Sequence, residues 1–206
     1  MIAVIDYGVG NLFSLTASLK YLGAETVVTN RSEDIEKADR IILPGVGAFE
    51  DAAAKLRATG LVDTIMKETA AGKPLLGICL GMQLLFEESH EYGVHKGLGL
   101  IKGTVASIDE ELKKQGITDL KVPHIGWNAL DFKEDEPLFK YIKQGDCVYY
   151  VHSFYGRDCE ESTIATSMYG IKITGAVRNG SVYGTQFHPE KSGDVGLNIL
   201  RAFMEV

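Results

Sequence analysis

The stretch PLLGICLGMQLLF, from Pro74 to Phe86, is an apolar run that stops at a cysteine between two glycines and restarts with helical periodicity. It reads as a strand, a sharp turn and a helix. Gly77-Ile78-Cys79-Leu80-Gly81 has the form G-x-C-x-G. This is the thiol counterpart of the nucleophile elbow, in which small flanking residues let a strained turn push one reactive side chain into the open. Cys79 then stands at the N-terminus of a helix that begins near Leu80, where unpaired backbone N–H groups and the helix dipole favour an anion. Such a position, with a cationic neighbour, raises the thiolate fraction of a cysteine. A small apolar core residue between strand and helix satisfies the same pattern, so the stretch alone leaves both readings open.

Outward from the elbow, the first half alternates strand and helix signals at short spacing. Ile2–Ile5 is an apolar strand, Leu12, Leu15, Leu19 and Leu22 recur at helical spacing after Asn11, a good N-cap, and Thr26–Thr29 is a second strand. Ile41–Leu43 is a third strand, Phe49–Met66 gives one or two helices, and Leu75–Ile78 feeds the elbow. Repeated β-α units predict a mostly parallel sheet with helices on both faces. From Leu98 to Phe187 the strands lengthen and alternate more clearly, with Asn179-Gly180 as a type I′ hairpin signal between Ile171–Val177 and Ser181–Gln186. A closing helix is expected over Val195–Met204. The expected class is therefore α/β, with an antiparallel region added in the second half, and 206 residues fit a single domain, 1–206.

Composition narrows the function classes. A chain 45% apolar and 24% charged is globular, and no window approaches the roughly 18 uninterrupted apolar residues of a membrane span. The N-terminal residues lack a basic leader pattern, so a cytoplasmic location is expected. With 21 Lys and Arg against 28 Asp and Glu, the net charge of −7 offers no footprint for nucleic acid and disfavours an anionic membrane. Cys79, Cys147 and Cys159 contain no C-x-x-C pair, which favours free thiols over a disulfide framework or a thiolate metal site. His90 and His95 read as solvated, His124 and His152 as core histidines. Asp109–Glu111 with Lys113 and Lys114 reads as a solvated loop or short helix.

Two glycine-rich turns follow strands. In Asp6-Tyr7-Gly8-Val9-Gly10-Asn11 the third glycine of a dinucleotide fingerprint would fall at Phe13, so that site is disfavoured, and no phosphate-binding P-loop occurs. Pro44-Gly45-Val46-Gly47 follows the third strand at the sheet end where the elbow emerges. Its glycines permit backbone N–H groups to face a developing oxyanion, although a plain turn needs no such role. In Gly184-Thr185-Gln186-Phe187-His188-Pro189-Glu190, the proline biases His188 to extended backbone, and residues two apart then project to one side. His188 and Glu190 can thus meet, which suits an imidazole that takes a thiol proton while a carboxylate holds its other N–H. Alone, the tripeptide is also an ordinary surface turn.

GICLGMQLLF with Cys79, His188 and Glu190 in that order resembles the class I glutamine amidotransferases. DYGVGN (Asp6–Asn11), LPGVGAF (Leu43–Phe49), HIGWN (His124–Asn128), VHSF (Val151–Phe154) and QFHPEKS (Gln186–Ser192) resemble, within them, the glutaminase subunits of imidazole glycerol phosphate synthases of histidine biosynthesis. The resemblance spans essentially the whole chain and implies a flavodoxin-like three-layer sandwich. It implies that Cys79 attacks the side-chain amide of L-glutamine, His188 serves as base and then acid, and Glu190 orients His188. It further implies an oxyanion hole at the Leu80 N–H and a peptide at Val46-Gly47, and glutamine contacts at Gln83, Glu91 and Ser153. Asn11, Trp127 and Lys191 fall toward a docking face for the (β/α)8 cyclase subunit of a heterodimer, to which ammonia would be channelled. No cofactor and no metal are implied. The alternatives are a glutaminase subunit serving another synthase and a non-catalytic flavodoxin-like binding module in which Cys79 is merely core.

Overall fold

The computed structural model describes all residues, Met1–Val206. The first half alternates as expected: β1 (Ile2–Ile5), α1 (Leu12–Tyr21), β2 (Thr26–Thr29), α2 (Ser32–Lys37), β3 (Arg40–Gly45), α3 (Phe49–Ala58), α4 (Val62–Ala70), β4 (Leu75–Cys79) and α5 (Leu80–Leu84). The Asn11 side chain caps α1, its Oδ1 accepting from the Ser14 N–H at 3.3 Å. The second half holds β5 (Phe86–Ser89), β6 (His95–Lys96), β7 (Ile101–Ser107), α6 (Ile108–Lys114), β8 (His124–Ala129) and β9 (Asp131–Phe132). It continues with β10 (Cys147–His152), β11 (Phe154–Arg157), β12 (Thr163–Tyr169), β13 (Ile171–Asn179), β14 (Val182–Thr185) and α7 (Gly193–Phe203). The acidic stretch after Ser107 is the short helix α6, capped by the Ser107 hydroxyl.

The main sheet runs β2-β1-β3-β4-β14-β13-β12-β9. The first five strands are mutually parallel and the last three join antiparallel. β1 is buried at every residue, as a strand covered on both faces must be. Its side chains split between two cores. Ile2 and Val4 pack with Leu15 and Leu19 of α1 and Ile199, Leu200 and Phe203 of α7, whereas Ala3 and Ile5 pack with Phe49 and Leu56 of α3 and Ile65 of α4. Period-two alternation thus supplies one helix layer on each side, the three-layer architecture.

Four expectations need correction. The second-half strands are divided three ways: β13, β12 and β9 extend the main sheet antiparallel, β11-β7-β5-β6 form a second sheet in which β5 and β7 run parallel, and β10 pairs only with β8, antiparallel. The helix after the elbow spans five residues, and Phe86 already begins β5. Leu84, Leu85 and Phe86 are all fully covered, and a run buried on every side has no periodicity to separate helix from strand. The hairpin is slipped by one residue: Asn179 pairs with Val182, leaving Gly180-Ser181 as the loop with φ +59° at Gly180, the pattern of a type II′ turn. Asn179 instead donates from Nδ2 to the Leu100 carbonyl at 2.9 Å. His95, expected in solvent, is largely covered, with 19% of its side chain exposed. His124 and His152 are buried as expected.

Candidate active site

β4 lies between β3 and β14, so its C-terminal residue opens at the centre of the sheet edge where parallel strands end. Cys79 adopts φ +54° and ψ −111°. A non-glycine residue holds such backbone only when its surroundings compel it, at a cost of about 1–3 kcal/mol. The two glycines show what compels it. A Cβ on Gly81 would stand 1.8 Å from the Leu43 carbonyl oxygen, and one on Gly77 2.7 Å from the Gly81 carbonyl oxygen. α5 therefore sits directly on β3 and β4, and the chain can turn through Cys79 in one residue. A five-residue helix contributes little macrodipole, so the activation expected from that source shrinks to the nearest free N–H groups, beginning at Leu80.

Gly45 pairs with Cys79 across β3 and β4, which carries Val46-Gly47 over the thiol. Gly47 has φ +99°, a conformation reserved in practice for glycine, and neither the Val46 nor the Gly47 N–H donates to another backbone group. The turn is anchored behind by Tyr7, whose buried hydroxyl donates to the Pro44 carbonyl at 2.7 Å. Burial, reinforced by the neighbouring Cys79, pushes the Tyr7 hydroxyl well above its ordinary range, so it stays protonated and a donor.

Parallel pairing of β14 with β4, Thr185 opposite Ile78, delivers the following segment to the elbow. His188 is extended, at φ −99° and ψ +99°, and Pro189 opens a short 3-10 turn through Lys191. His188 donates from Nδ1 to Glu190 Oε1 at 2.8 Å, and the two side chains are 2% and 3% exposed. The turn is pinned to β10: the Tyr149 N–H donates to Ser192 Oγ at 2.9 Å, and that hydroxyl donates to the His188 carbonyl at 2.7 Å. Burial by itself pushes the His188 imidazole down, but Cys79 and then Glu190 outweigh it and raise the group to about 9. His188 Nε2 is buried without a hydrogen-bond partner in the protein.

These groups share one cavity of about 410 Å³, of a size to take an amino acid. It is lined by Val46, Gly47, Cys79, Leu80 and His188, and by all three expected glutamine contacts, Gln83, Glu91 and Ser153. Glu91 Oε2 also accepts from the Phe49 N–H at 2.7 Å, closing the start of α3. Lys191 lines the cavity as well. Asn11 and Trp127 do not, but they belong to the same end of the molecule: α1 packs on the 189–191 turn, and the indole, 55% exposed, meets Tyr149 edge-on at 5.9 Å.

Several neighbours were not foreseen. Gln186 donates from Nε2 to the Cys79 sulfur at 3.7 Å; its position two residues before His188, on the same side of an extended chain, was a usable signal. His152 lines the cavity, donates from Nδ1 to the Phe154 carbonyl at 2.7 Å and contacts His124 Nδ1 at 2.9 Å. Burial pushes His152 down to about 3, so it is a neutral wall of the cavity. Tyr7 and Ser192 carried no sequence signal beyond their place in the motifs. Cys147 is exposed at the head of β10, while burial first, then nearby acidic groups, push the Cys159 thiol up.

Residues 3–206 match the family described as "Glutamine amidotransferase class-I". The imidazole glycerol phosphate synthase subunit HisH of Listeria monocytogenes serotype 4a is 47% identical over 206 residues, covering 100% of this chain and 96% of that protein. The protein of the same description from Bacillus cereus is also 47% identical, covering 100% and 95%. Among solved structures, one described as a crystal structure of glutamine amidotransferase superposes with a TM-score of 0.76 at 21% identity, covering 100% of this chain and 98% of that one, which speaks for the fold. The chain that sets a strained thiol beside a buried His-Glu pair thus belongs to the class I glutamine amidotransferase family, among relatives described as HisH subunits.

Proposed function

We propose that this chain is the glutaminase subunit of an imidazole glycerol phosphate synthase, hydrolysing L-glutamine to glutamate and handing ammonia to a cyclase subunit in histidine biosynthesis. The observation that carries the chemistry is the convergence on one cavity of a thiol on strained backbone and an imidazole whose far nitrogen is held by a buried carboxylate. The Cys79 sulfur attacks the side-chain carbonyl carbon of glutamine. As the C–N bond breaks, His188 Nε2 gives a proton to departing ammonia and a thioester is left on Cys79. Water then adds to the thioester, His188 takes its proton, and the C–S bond breaks to release glutamate. Glu190 holds the imidazole in the tautomer that leaves Nε2 toward the reaction.

The developing oxyanion is served by the Leu80 N–H and by the Val46-Gly47 peptide, and the absence of one such donor costs roughly 100- to 1,000-fold in turnover. Glu91, the one carboxylate of the cavity apart from the triad, suits the α-ammonium of glutamine, with Gln83 and Ser153 completing the contacts. Asn11, Trp127 and Lys191 mark the docking face, next to the cavity mouth where ammonia must leave. The test is steady-state glutamate release by the chain with its cyclase, for the natural protein and for Cys79→Ser. Serine keeps the volume but not the acidity, so hydrolysis is lost while the variant still folds and co-purifies with the cyclase. Near-normal glutamate release by Cys79→Ser would remove the nucleophile assignment.

A further inference from the structure

Beside Cys79 lies a chain of two buried amides, of which Gln83 lines the cavity, with only one satisfiable direction. Gln83 donates from Nε2 to the Phe154 carbonyl at 3.1 Å and to Gln186 Oε1 at 3.0 Å. A backbone carbonyl can only accept, so Gln83 must present its NH2 there, and both of its hydrogens are spent on these two contacts. Gln186 must then present Oε1 to Gln83, which leaves its Nε2 toward Cys79 at 3.7 Å. Gln186 is fully buried, and its own backbone N–H donates to the Gly175 carbonyl at 2.8 Å, which fixes the backbone from which the amide reaches the sulfur. On the other side the sulfur meets the Val151 carbonyl at 4.0 Å, an acceptor that favours the protonated thiol.

We propose that Gln186 is a catalytic hydrogen-bond donor to the Cys79 sulfur, aimed by Gln83, which favours the thiolate over the thiol. A thiolate accepts such a bond strongly and a neutral thiol weakly, so the amide opposes the pull of Val151 and works together with the His188 imidazolium. No proton leaves Gln186 in any step. It contacts the sulfur when the anion attacks, and again when the thioester breaks and the anion returns. Gln83 acts through Gln186 and is in this respect a positioning residue; its Oε1 accepts no protein hydrogen bond and stays available to substrate.

The inference rests on Cys79 being the nucleophile, and its deciding alkylation test needs neither glutamine nor partner, so it fails separately from that reading. Alkylation of Cys79 by iodoacetamide is followed against pH by mass spectrometry of the Cys79 peptide, which sets aside exposed Cys147. Gln186→Met removes the donor at similar volume: alkylation at pH 7 falls about tenfold or more, the size of a hydrogen bond to a charged group, and the rate profile moves to higher pH. Gln186→Glu moves it in the same direction by placing a carboxylate against the sulfur. With glutamine and cyclase, Gln186→Met lowers kcat and leaves KM close to the natural value. Folded Gln186→Met and Gln186→Glu proteins with an unmoved alkylation profile would overturn the proposal. The natural protein gives an independent reading by NMR: the Gln186 side-chain N–H resonances shift when Cys79 ionises or is alkylated, and their invariance also overturns it.

Discussion

His188 and Glu190 form a nearly solvent-free pair, and its charge state ties turnover to folding. The imidazole is raised from an ordinary 6.5 to about 9, so between those values the native state holds a proton that the unfolded chain has released. Its contribution to stability is fully present below about pH 6.5 and is lost as pH rises through about 9. Urea unfolding of the natural protein at a series of pH values should show that decline, and Glu190→Gln should flatten it by removing the counter-charge. In kinetics, Glu190→Gln keeps the volume but lets the imidazole lose its favoured tautomer. It should therefore slow kcat more than it raises KM, yet less than His188→Ala does. Equal and complete loss in both variants would instead give Glu190 a role in holding the fold. His152 works in the opposite sense: pushed down to about 3, it stays neutral while the unfolded chain protonates, so it withdraws stability as pH falls below about 6.5.

At the scale of elements, the elbow depends on how closely α5 approaches β3. A methyl carbon added at Gly81 would lie 1.8 Å from the Leu43 carbonyl oxygen, and backbone on both sides cannot yield as a flexible side chain would. Gly81→Ala should cost about 3 kcal/mol or more, the upper range of overpacking. A lower urea midpoint with an unchanged m-value would record this, together with loss of Cys79 alkylation as the turn opens. Gly180→Ala is the contrast. That residue sits in the hairpin loop at φ +59° with open space around it, so only the backbone preference is at stake, about 1–2 kcal/mol. Near-equal costs for the two substitutions would contradict the close approach of α5 as the cause of the strained cysteine.

For the whole molecule the question is how hydrolysis is coupled to use of the ammonia. Gly47 has nothing within 4 Å of its Cβ position, so the Val46-Gly47 peptide can turn toward or away from the sulfur at small steric cost. The residues proposed for docking, Trp127, Asn11 and Lys191, connect to the site through Tyr149 and the Ser192-pinned turn that carries His188. We expect glutamate release to be slow for the isolated chain, and to rise by roughly 100-fold or more once the cyclase is bound and holds its nucleotide, as one oxyanion donor is gained. Equal rates for the chain alone, with cyclase, and with cyclase plus nucleotide would eliminate the switch. Trp127 is the single tryptophan, and its half-exposed indole should report cyclase binding as a change in fluorescence.

Local chemistry in the sequence was enough for the alternation of β1 through β4, the cap at Asn11, the G-x-C-x-G elbow and the meeting of His188 with Glu190. Each depends on residues within a turn or two of one another, and period, capping and proline act at that range. Tertiary structure decided what depends on distant partners. The insertion of β14 beside β4 joins residues 107 positions apart, so that Gln186 reaches Cys79. Packing on all sides ended α5 after five residues and sent Phe86 into a strand, because a fully buried run carries no periodicity to read. The distribution of the second-half strands over three sheets was likewise settled by pairing across the chain. Backbone hydrogen bonds between strands are alike whatever the sequence, so only the packing of whole faces selects among possible neighbours.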